Sequence, residues 1–238
     1  MIEIKHVKKY YGTKALGLMD ESALINSGEV VGILGQNGAG KSTLLKAVMG
    51  LTELTAGQVL IEGKTPAEMH REMAFITHEG SYFPHLTPWG YGEFLSEYFP
   101  GFNKERYEKL LKFFELEPGT KIKTFSHGQK ARLEMCAGLS KMARYIIMDE
   151  PFLGEDILTR QDFIKLMASS IKEDETILVS THHVNEIENF LDRAIILRRG
   201  RIAADVYIDD LKNQGKTLQQ LIMELSGYSG DRFKELPD

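Results

Sequence analysis

The chain contains very little cysteine and has no excess of positive charge. Cys136 is the single cysteine among 238 residues, so no intramolecular disulfide can form, which agrees with a reducing compartment. The 29 Lys and Arg residues are outnumbered by 34 Asp and Glu, giving a formal net charge of −5. Because binding along a phosphate backbone needs a basic surface, this balance argues against a protein whose main task is binding nucleic acid.

Long apolar segments are also absent. No stretch approaches the roughly 18 uncharged apolar residues that indicate a membrane-spanning helix. The first residues, Met1–Lys5, alternate charged and apolar side chains and predict no secretory signal peptide. Any action at a membrane would therefore require a partner that supplies the membrane span.

Short apolar runs alternate along the chain with longer segments of helical spacing. The predicted strands are Ile2–Val7, Val30–Leu34, Met73–Thr77, Tyr145–Met148, Thr176–Ser180 and Ala194–Leu197, and the predicted helices are Ser42–Met49, 104–116, 127–142, 157–173 and 183–191. This alternation predicts an α/β fold with a largely parallel sheet. The length suits one domain with room for an inserted subdomain.

Aromatic side chains are concentrated in one part of the chain. Eleven of the 22 lie between Tyr82 and Phe114, in a block without a strand-like β-branched run. We interpret this block as part of a helical subdomain, about residues 81–142, inserted into the α/β core. Its aromatic residues have two possible uses, the subdomain's own core and a surface that docks a partner.

Residues 35–43 read GQNGAGKST and match the phosphate-loop pattern G-x-x-x-x-G-K-[ST]. Glycines let successive backbone N–H groups approach a β-phosphate, and the N-terminus of the following helix adds the positive end of its dipole. Lys41 is placed to reach the β and γ oxygens, Ser42 to ligate Mg²⁺, and Thr43 to contact the α-phosphate side. The predicted nucleotide-binding residues of this loop are Gly35, Asn37, Gly38, Ala39, Gly40, Lys41, Ser42 and Thr43.

A later apolar run ends in two adjacent carboxylates, Asp149 and Glu150. The carboxyl ends of parallel strands gather at the ligand crevice, so both side chains are expected near the phosphate loop. Asp149 is predicted to hold Mg²⁺ through its water shell. Glu150 is predicted to act as the general base on the attacking water.

In their order and spacing, these motifs resemble the nucleotide-binding subunit of ATP-binding cassette (ABC) transporters, and the resemblance covers most of the chain. Phe125–Gln129 is similar to the family's signature loop, which meets the γ-phosphate held by a second subunit. Asp156 is similar to the D-loop aspartate at the dimer contact, and His182 to the catalytic switch histidine that contacts the γ-phosphate. The signature-loop residues predicted to contact nucleotide are Ser126, Gly128 and Gln129.

Three further assignments follow from this resemblance and its surroundings. Tyr11, followed by a glycine, resembles the aromatic residue that stacks on adenine, although neighbouring Tyr10 is a rival for that role. His183, beside the switch histidine, is interpreted as an ordinary histidine with satisfied contacts. Cys136 is interpreted as a core residue.

The sequence departs from the family pattern at two places. His127 stands where the signature loop usually has glycine, and we expect a modest effect. The family also has a glutamine that touches Mg²⁺ and the attacking water, and alignment on Phe83–Thr87 puts His78 at that position. Imidazole suits hard Mg²⁺ less well than an oxygen donor, so Glu79 is the alternative metal ligand, and the choice between the two stays open.

The resemblance implies a single P-loop NTPase domain over residues 1–238, with a mixed, largely parallel sheet, an N-terminal antiparallel β subdomain and an inserted α-helical subdomain. Its expected parts are a core of about 1–80 and 143–215, the helical subdomain of about 81–142, and a C-terminal helix of about 216–228.

The implied activity is ATP hydrolysis with ATP and Mg²⁺. Two copies, or this chain and a homologous ATPase subunit, would close around two ATP molecules. They would drive a separate integral membrane permease from the cytoplasmic side of the cell membrane, and we expect an exporter. The alternative is a soluble ABC-type ATPase in a non-transport complex. The lack of a coiled-coil insertion, a second cassette, a cysteine cluster or a basic excess argues against several such proteins.

Overall fold

The computed structural model describes residues 1–12, 15–77, 83–154, 156–170 and 174–226. Within these ranges the strands are β1 (Ile2–Tyr11), β2 (Ala15–Ile25), β3 (Val30–Leu34), β4 (Ala56–Ile61), β5 (Met73–Thr77), β6 (Tyr145–Asp149), β7 (Thr176–Thr181), β8 (Arg193–Arg198) and β9 (Arg201–Tyr207). The α-helices are α1 (Lys41–Val48), α2 (Pro66–Met69), α3 (Pro88–Tyr98), α4 (Lys104–Phe113), α5 (His127–Ser140), α6 (Ile157–Ser170), α7 (Val184–Ile187), α8 (Ile208–Asn213) and α9 (Leu218–Ser226).

The strands form two sheets. The first is a three-stranded antiparallel sheet in the order β2-β1-β4. The second is a six-stranded sheet in the order β5-β6-β7-β3-β8-β9, in which only the β8–β9 pair is antiparallel. The expected α/β fold, with a mixed, largely parallel sheet and an antiparallel N-terminal sheet, is confirmed.

The central strand β3 explains how the core is divided. Every residue of β3 is buried, as expected for a parallel strand that is covered on both faces. Its side chains alternate, so Val30 and Leu34 join one apolar cluster while Val31 and Ile33 join another. The first cluster contains residues of the helices α3 to α6, and the second contains residues of α1 and of the antiparallel sheet. The phosphate-loop segment therefore begins between two well-packed layers.

Helices α3, α4 and α5 occupy the chain between β5 and β6. Part of the aromatic block forms their core, because Tyr91, Tyr107 and Phe114 are each at most 4% exposed. Other aromatic residues of the block remain on the surface, including Trp89 and Tyr98. Both interpretations of the block thus have residues that fit them, while the bounds of a helical subdomain stay a prediction.

Several predicted elements differ in extent from those observed. The helix expected over 104–116 ends at Phe113, followed closely by Glu115 in the left-handed region with φ 53°. The segment 183–191 is α7 followed by a short 3₁₀ turn, Glu188–Phe190. The C-terminal helix begins at Leu218, and its predicted end at 228 lies outside the described residues. None of the helices in the described ranges combines the length and the apolar character needed to cross a membrane.

Candidate nucleotide-binding and catalytic site

The loop after β3 is shaped by glycines in the left-handed region. Gly35 has φ +147° and Gly40 has φ +110°, so these positions favour glycine. There is also no room for a side chain, because a Cβ on Gly40 would lie 2.6 Å from the carbonyl oxygen of Gly17. The Gly200 N–H donates to the Ala39 carbonyl oxygen at 2.9 Å, which braces the loop from the β8–β9 turn.

Lys41 is the first residue of α1 and is 5% exposed. Its Nζ donates to the carbonyl oxygen of Gly35 at 2.9 Å, so the side chain folds back over the loop. The same Nζ lies 3.2 Å from Oε1 of Glu150. The predicted phosphate-binding cation and the predicted general base are therefore in direct contact.

Asp149 ends β6 and pairs in register with Ser180 at the end of the adjacent strand β7. The carboxylate is 1% exposed. Its Oδ1 accepts hydrogen bonds from Ser180 Oγ at 2.6 Å and from Ser42 Oγ at 3.0 Å. Asp149 and Ser42 thus lie together as predicted. Ser180 was not among the predicted site residues, although the adjacency of two strand ends was the signal that could have found it.

The backbone of Glu150 has φ 47°, an uncommon conformation for a residue other than glycine. The backbone N–H of Glu150 donates to Ser180 Oγ at 2.9 Å, which helps to hold this conformation. Oε2 of Glu150 lies 3.0 Å from Nδ1 of His182. A carboxylate offers only acceptors, so Nδ1 carries the hydrogen in this contact and Nε2 is left for another partner.

A cavity of about 400 Å³ brings eight of the predicted residues together. The predicted residues in its lining are Asn37, Gly38, Gly40, Lys41, Ser42, Thr43, Glu150 and His182. Leu16 and Leu153 also line it and were not predicted. Gly35 and Ala39 line a neighbouring cavity of about 260 Å³ on the other side of the loop.

A match to a protein-family model covers residues 18–153, and that family is described as ABC transporter. The chain belongs to the ABC transporter family. It is similar to the SkfA peptide export ATP-binding protein SkfE of Bacillus subtilis, at 29% identity over 97% of this chain and 99% of that protein. It is also similar to the glutamine transport ATP-binding protein GlnQ of Escherichia coli, at 32% identity over 86% of this chain and 90% of GlnQ.

Solved structures agree with this assignment. The structure of an ATP-binding subunit of an ABC transporter matches with a TM-score of 0.84 and 29% identity, covering 95% of this chain and 99% of that one. A dimeric ATP-binding cassette in a post-hydrolysis state with ADP and Pi matches with a TM-score of 0.75 and 27% identity, covering 87% of this chain and 99% of that one. This chain is an ATP-binding subunit, and its enzymatic activity is that of an ABC ATPase.

In this ABC ATPase, Tyr11 rather than Tyr10 contacts the phosphate-loop helix. The Tyr11 hydroxyl lies 3.4 Å from Thr43 Oγ1, and Lys9 Nζ lies 5.0 Å from the centroid of its ring. The ring is close to half exposed, which leaves surface for a base to stack on.

The signature-loop segment forms the start of α5. Ser126 is the N-cap, and its Oγ accepts from the Gln129 N–H at 3.2 Å, while Gln129 Oε1 accepts from the Ser126 N–H at 2.9 Å. This capping box fixes Ser126 at the positive end of the helix dipole. Within the part of the chain that the structure describes, Ser126, Gly128 and Gln129 do not line the 400 Å³ cavity.

Asp156 caps the start of α6. Its Oδ1 accepts from the Thr159 N–H at 3.0 Å and its Oδ2 from Thr159 Oγ1 at 2.8 Å. A Cβ on Gly154 would lie 3.9 Å from Nδ1 of His127, so the signature loop and the segment before Asp156 are neighbours. The proposed metal ligands His78 and Glu79 lie outside the described residues.

Cys136 lies in α5 with no exposed surface, which confirms it as a core residue. Burial raises the pKa of its thiol well above the ordinary range. His183 has satisfied contacts, as interpreted, because its ring lies against that of His182 and within hydrogen-bond distance of Arg160.

Proposed function

We propose that ATP is hydrolysed in the 400 Å³ cavity by Glu150 and His182, and that two such chains complete each other's sites to drive a membrane permease. The observation that carries the proposal is the position of Glu150. One of its carboxylate oxygens contacts Lys41 and the other contacts His182. The side chains of Lys41, Glu150 and His182, to which we assign phosphate binding, the base and the γ-phosphate contact, therefore face one cavity.

Nucleotide binding is assigned to Tyr11 and to the phosphate loop. Tyr11 would stack on the adenine ring, since it is exposed and lies against Thr43 of the phosphate-loop helix. The loop N–H groups, the N-terminus of α1 and the Lys41 ammonium would bind the phosphate oxygens. Lys41 would then leave its contact with Glu150, because the phosphates carry more negative charge than one carboxylate.

Released from Lys41, Glu150 would accept a proton from the attacking water as general base. The water oxygen forms a bond to the γ-phosphorus, and the bond from that phosphorus to the β–γ bridging oxygen breaks, giving ADP and phosphate. With a hydrogen on each ring nitrogen, His182 would donate from Nε2 to a γ-phosphate oxygen and from Nδ1 to the Glu150 carboxylate. This contact supports the negative charge that spreads over the phosphoryl group.

The residues present also fit a Mg²⁺ ion. Ser42 Oγ and Asp149 Oδ1 are hard oxygen donors only 3.0 Å apart, beside the phosphate loop. Ser42 would bind the ion directly and Asp149 through a water molecule, with His78 or Glu79 as a further ligand. When bound, Mg²⁺ supplies positive charge that offsets the charge of the β- and γ-phosphates.

Two chains are proposed because one chain leaves the signature loop unused. Ser126 and its helix N-terminus are arranged to bind an anion, yet they do not line the cavity of their own chain within the described residues. A similar cassette forms a dimer with ADP and Pi. A second copy, or a homologous ATPase subunit, would bring its Ser126 to the phosphate held by Lys41, and Asp156 would lie at the contact.

The proposed partner in the membrane is an integral permease, with this chain held at the cytoplasmic face of the cell membrane. The exposed aromatic residues Trp89 and Tyr98 of α3, at 52% and 63% exposure, provide apolar surface for such a contact. Export is the proposed direction, supported by the likeness to the peptide-export protein SkfE along nearly the whole chain.

Complementation between two inactive variants tests the shared site. Lys41→Ala removes the phosphate-loop cation and Ser126→Ala removes the signature hydroxyl, so each variant alone should hydrolyse ATP slowly. In a mixed dimer one site carries both defects and the other carries neither. Mixing equal amounts should therefore recover up to about a quarter of the wild-type rate. No recovery, with both variants folded and dimeric, would contradict a site built from two chains.

Co-purification tests the transport part of the proposal. The tagged chain, extracted from membranes with mild detergent, should retain a multi-span membrane protein that leaves with it on gel filtration. Recovery only in a complex without any membrane protein would favour a non-transport ATPase instead.

A further inference from the structure

We propose that Arg160 is a positioning residue for ATP hydrolysis, holding the loop that carries His182 through contacts with His183 and Glu186. This inference rests on the proposed roles of Glu150 and His182. It assigns a task to a side chain that does not line the nucleotide cavity.

Arg160 lies in the first turn of α6 and reaches across to the segment after β7. Its side chain is 12% exposed, and its Nε lies 3.1 Å from Oε2 of Glu186. Its Nη1 lies 3.0 Å from Nε2 and 3.3 Å from Nδ1 of His183. One guanidinium thus contacts two residues of the same short segment, at the start and within the single turn of α7.

The chemistry of the contact determines the state of His183. A guanidinium has donors only, so a ring nitrogen at 3.0 Å must accept, which requires a neutral imidazole. Burial lowers the pKa of His183, and the charges of His182 and Arg160 lower it further, against the opposing effect of Glu186 and Glu150. The charge of Arg160 therefore favours the neutral imidazole that its contact with the His183 ring nitrogen requires.

The neutral ring of His183 supports His182 directly. The two ring centroids are 4.1 Å apart with an angle of 38° between the planes. The His182 side chain is 41% exposed, and its Nδ1 lies 3.0 Å from Oε2 of Glu150. A displaced His183 would no longer pack against the His182 ring, so His182 would lose its fixed orientation towards the cavity.

Arg160 also links this loop to the segment that carries Asp156. The backbone N–H of Arg160 donates to the Asp156 carbonyl oxygen at 3.1 Å, and the Asp156 carboxylate caps the same helix. Asp156, which we place at the dimer contact, therefore lies one helical turn before Arg160.

Replacement of the guanidinium by an uncharged chain tests the inference. In Arg160→Met, kcat should fall about tenfold or more, as for residues that orient a catalytic group, while the affinity for a fluorescent ATP analogue stays within about twofold. Arg160→Lys keeps a cation near Glu186 and should recover part of kcat. Lys165→Met is the matched control, because Lys165 lies on the same helix with a side chain 77% exposed, and its kcat should be unchanged.

Two further variants separate the possible failures. His183→Asn should lower kcat as Arg160→Met does, and the double variant should be no slower than the slower single variant, since both act through one contact. Additive losses, or an Arg160→Met enzyme with wild-type kcat, would overturn the positioning role. If Arg160→Met does not fold, Glu186→Gln replaces it as the test. Its kcat should fall while its affinity for nucleotide is unchanged, and a wild-type kcat in Glu186→Gln would overturn the positioning role. His182→Ala tests the underlying function, because wild-type turnover in that variant would contradict the site itself.

Discussion

Lys41 Nζ and Glu150 Oε1 lie 3.2 Å apart in an ion pair whose side chains are only 6% and 12% exposed. The Lys41 ammonium also donates to the Gly35 carbonyl oxygen, and the Glu150 carboxylate also contacts the His182 ring. Phosphate and carboxylate must therefore compete for one ammonium group. This competition would keep the base occupied until a nucleotide takes its partner away.

The first prediction concerns Glu150→Gln. ATP hydrolysis should fall by a factor on the order of 10² to 10⁴, because the amide cannot accept the proton from water. ATP affinity should be retained or strengthened, since Lys41 no longer has a carboxylate partner. Phosphate release and binding of a fluorescent ATP analogue measure the two effects.

The same variant should accumulate as a closed dimer with saturating ATP and Mg²⁺, as seen by gel filtration with light scattering. Glu105→Gln is the control, because Glu105 is a surface residue paired with Lys109. A Glu150→Gln protein that remains monomeric under these conditions would contradict the two-chain site.

The second prediction separates the two neighbouring tyrosines. Tyr11→Ala should raise the KM for ATP about tenfold, since base–aromatic stacking contributes about 1–3 kcal/mol per base. Tyr10→Ala should leave KM nearly unchanged, although Tyr10 is just as exposed. Steady-state kinetics of both variants provide the comparison, and an effect in Tyr10→Ala alone would move the adenine site to that residue.

The third prediction is a pH dependence of stability from His183. Its pKa in the folded protein lies below the ordinary value of 6.5, chiefly through burial and then through the charges of His182 and Arg160. At pH values between the folded pKa and 6.5, the unfolded chain therefore binds more protons than the folded protein. The contribution of the neutral ring is complete above pH 6.5 and is lost as the pH falls through 6.5 towards the lower folded pKa.

Urea unfolding at pH 7.5 and pH 5.5 measures this contribution of His183 to the free energy of unfolding. The drop in the free energy of unfolding between the two pH values should be smaller in His183→Asn than in the wild type. His85→Asn, at an exposed position, controls for the loss of any histidine. Equal drops in the wild type and in His183→Asn would contradict the assigned pKa direction.

The fourth prediction uses the single thiol. Cys136 is fully buried and its pKa is raised, so the folded protein should react very slowly with a thiol reagent such as 5,5′-dithiobis(2-nitrobenzoic acid). In denaturant the same thiol should react at the rate of a free cysteine. Absorbance of the released thiolate measures both rates, and fast labelling of the native protein would show that α5 opens readily.

Some of this structure could be predicted from the sequence because its signals are local. The limits of β3 and β5 match their apolar runs, since strands buried on both faces need continuous apolar side chains. The phosphate loop could be found in the same way, because its glycines and Lys41 are consecutive in the chain.

Other features depend on partners that are distant in the sequence. Strand β2 was not predicted, because it contains Asp20 and Glu21, yet Glu21 is buried and accepts a hydrogen bond from the Ile202 N–H at 2.7 Å. Ser180 becomes part of the site only through strand register. The contact of Arg160 with His183 joins a helix and a loop, and neither residue alone has a recognisable motif.

Two main-chain features affect the affinity for nucleotide. They are the hydrogen bond from Gly200 to Ala39 and the close approach of Gly40 to Gly17. A main-chain bond holds the phosphate loop to the β8–β9 turn, and the loop packs closely against β2, so its curvature exists before an anion binds. Little conformational entropy remains to be lost there when nucleotide binds. A methyl group at position 40 would clash with the Gly17 carbonyl oxygen and displace the loop, so the affinity for every nucleoside triphosphate should fall although all of the charged residues remain.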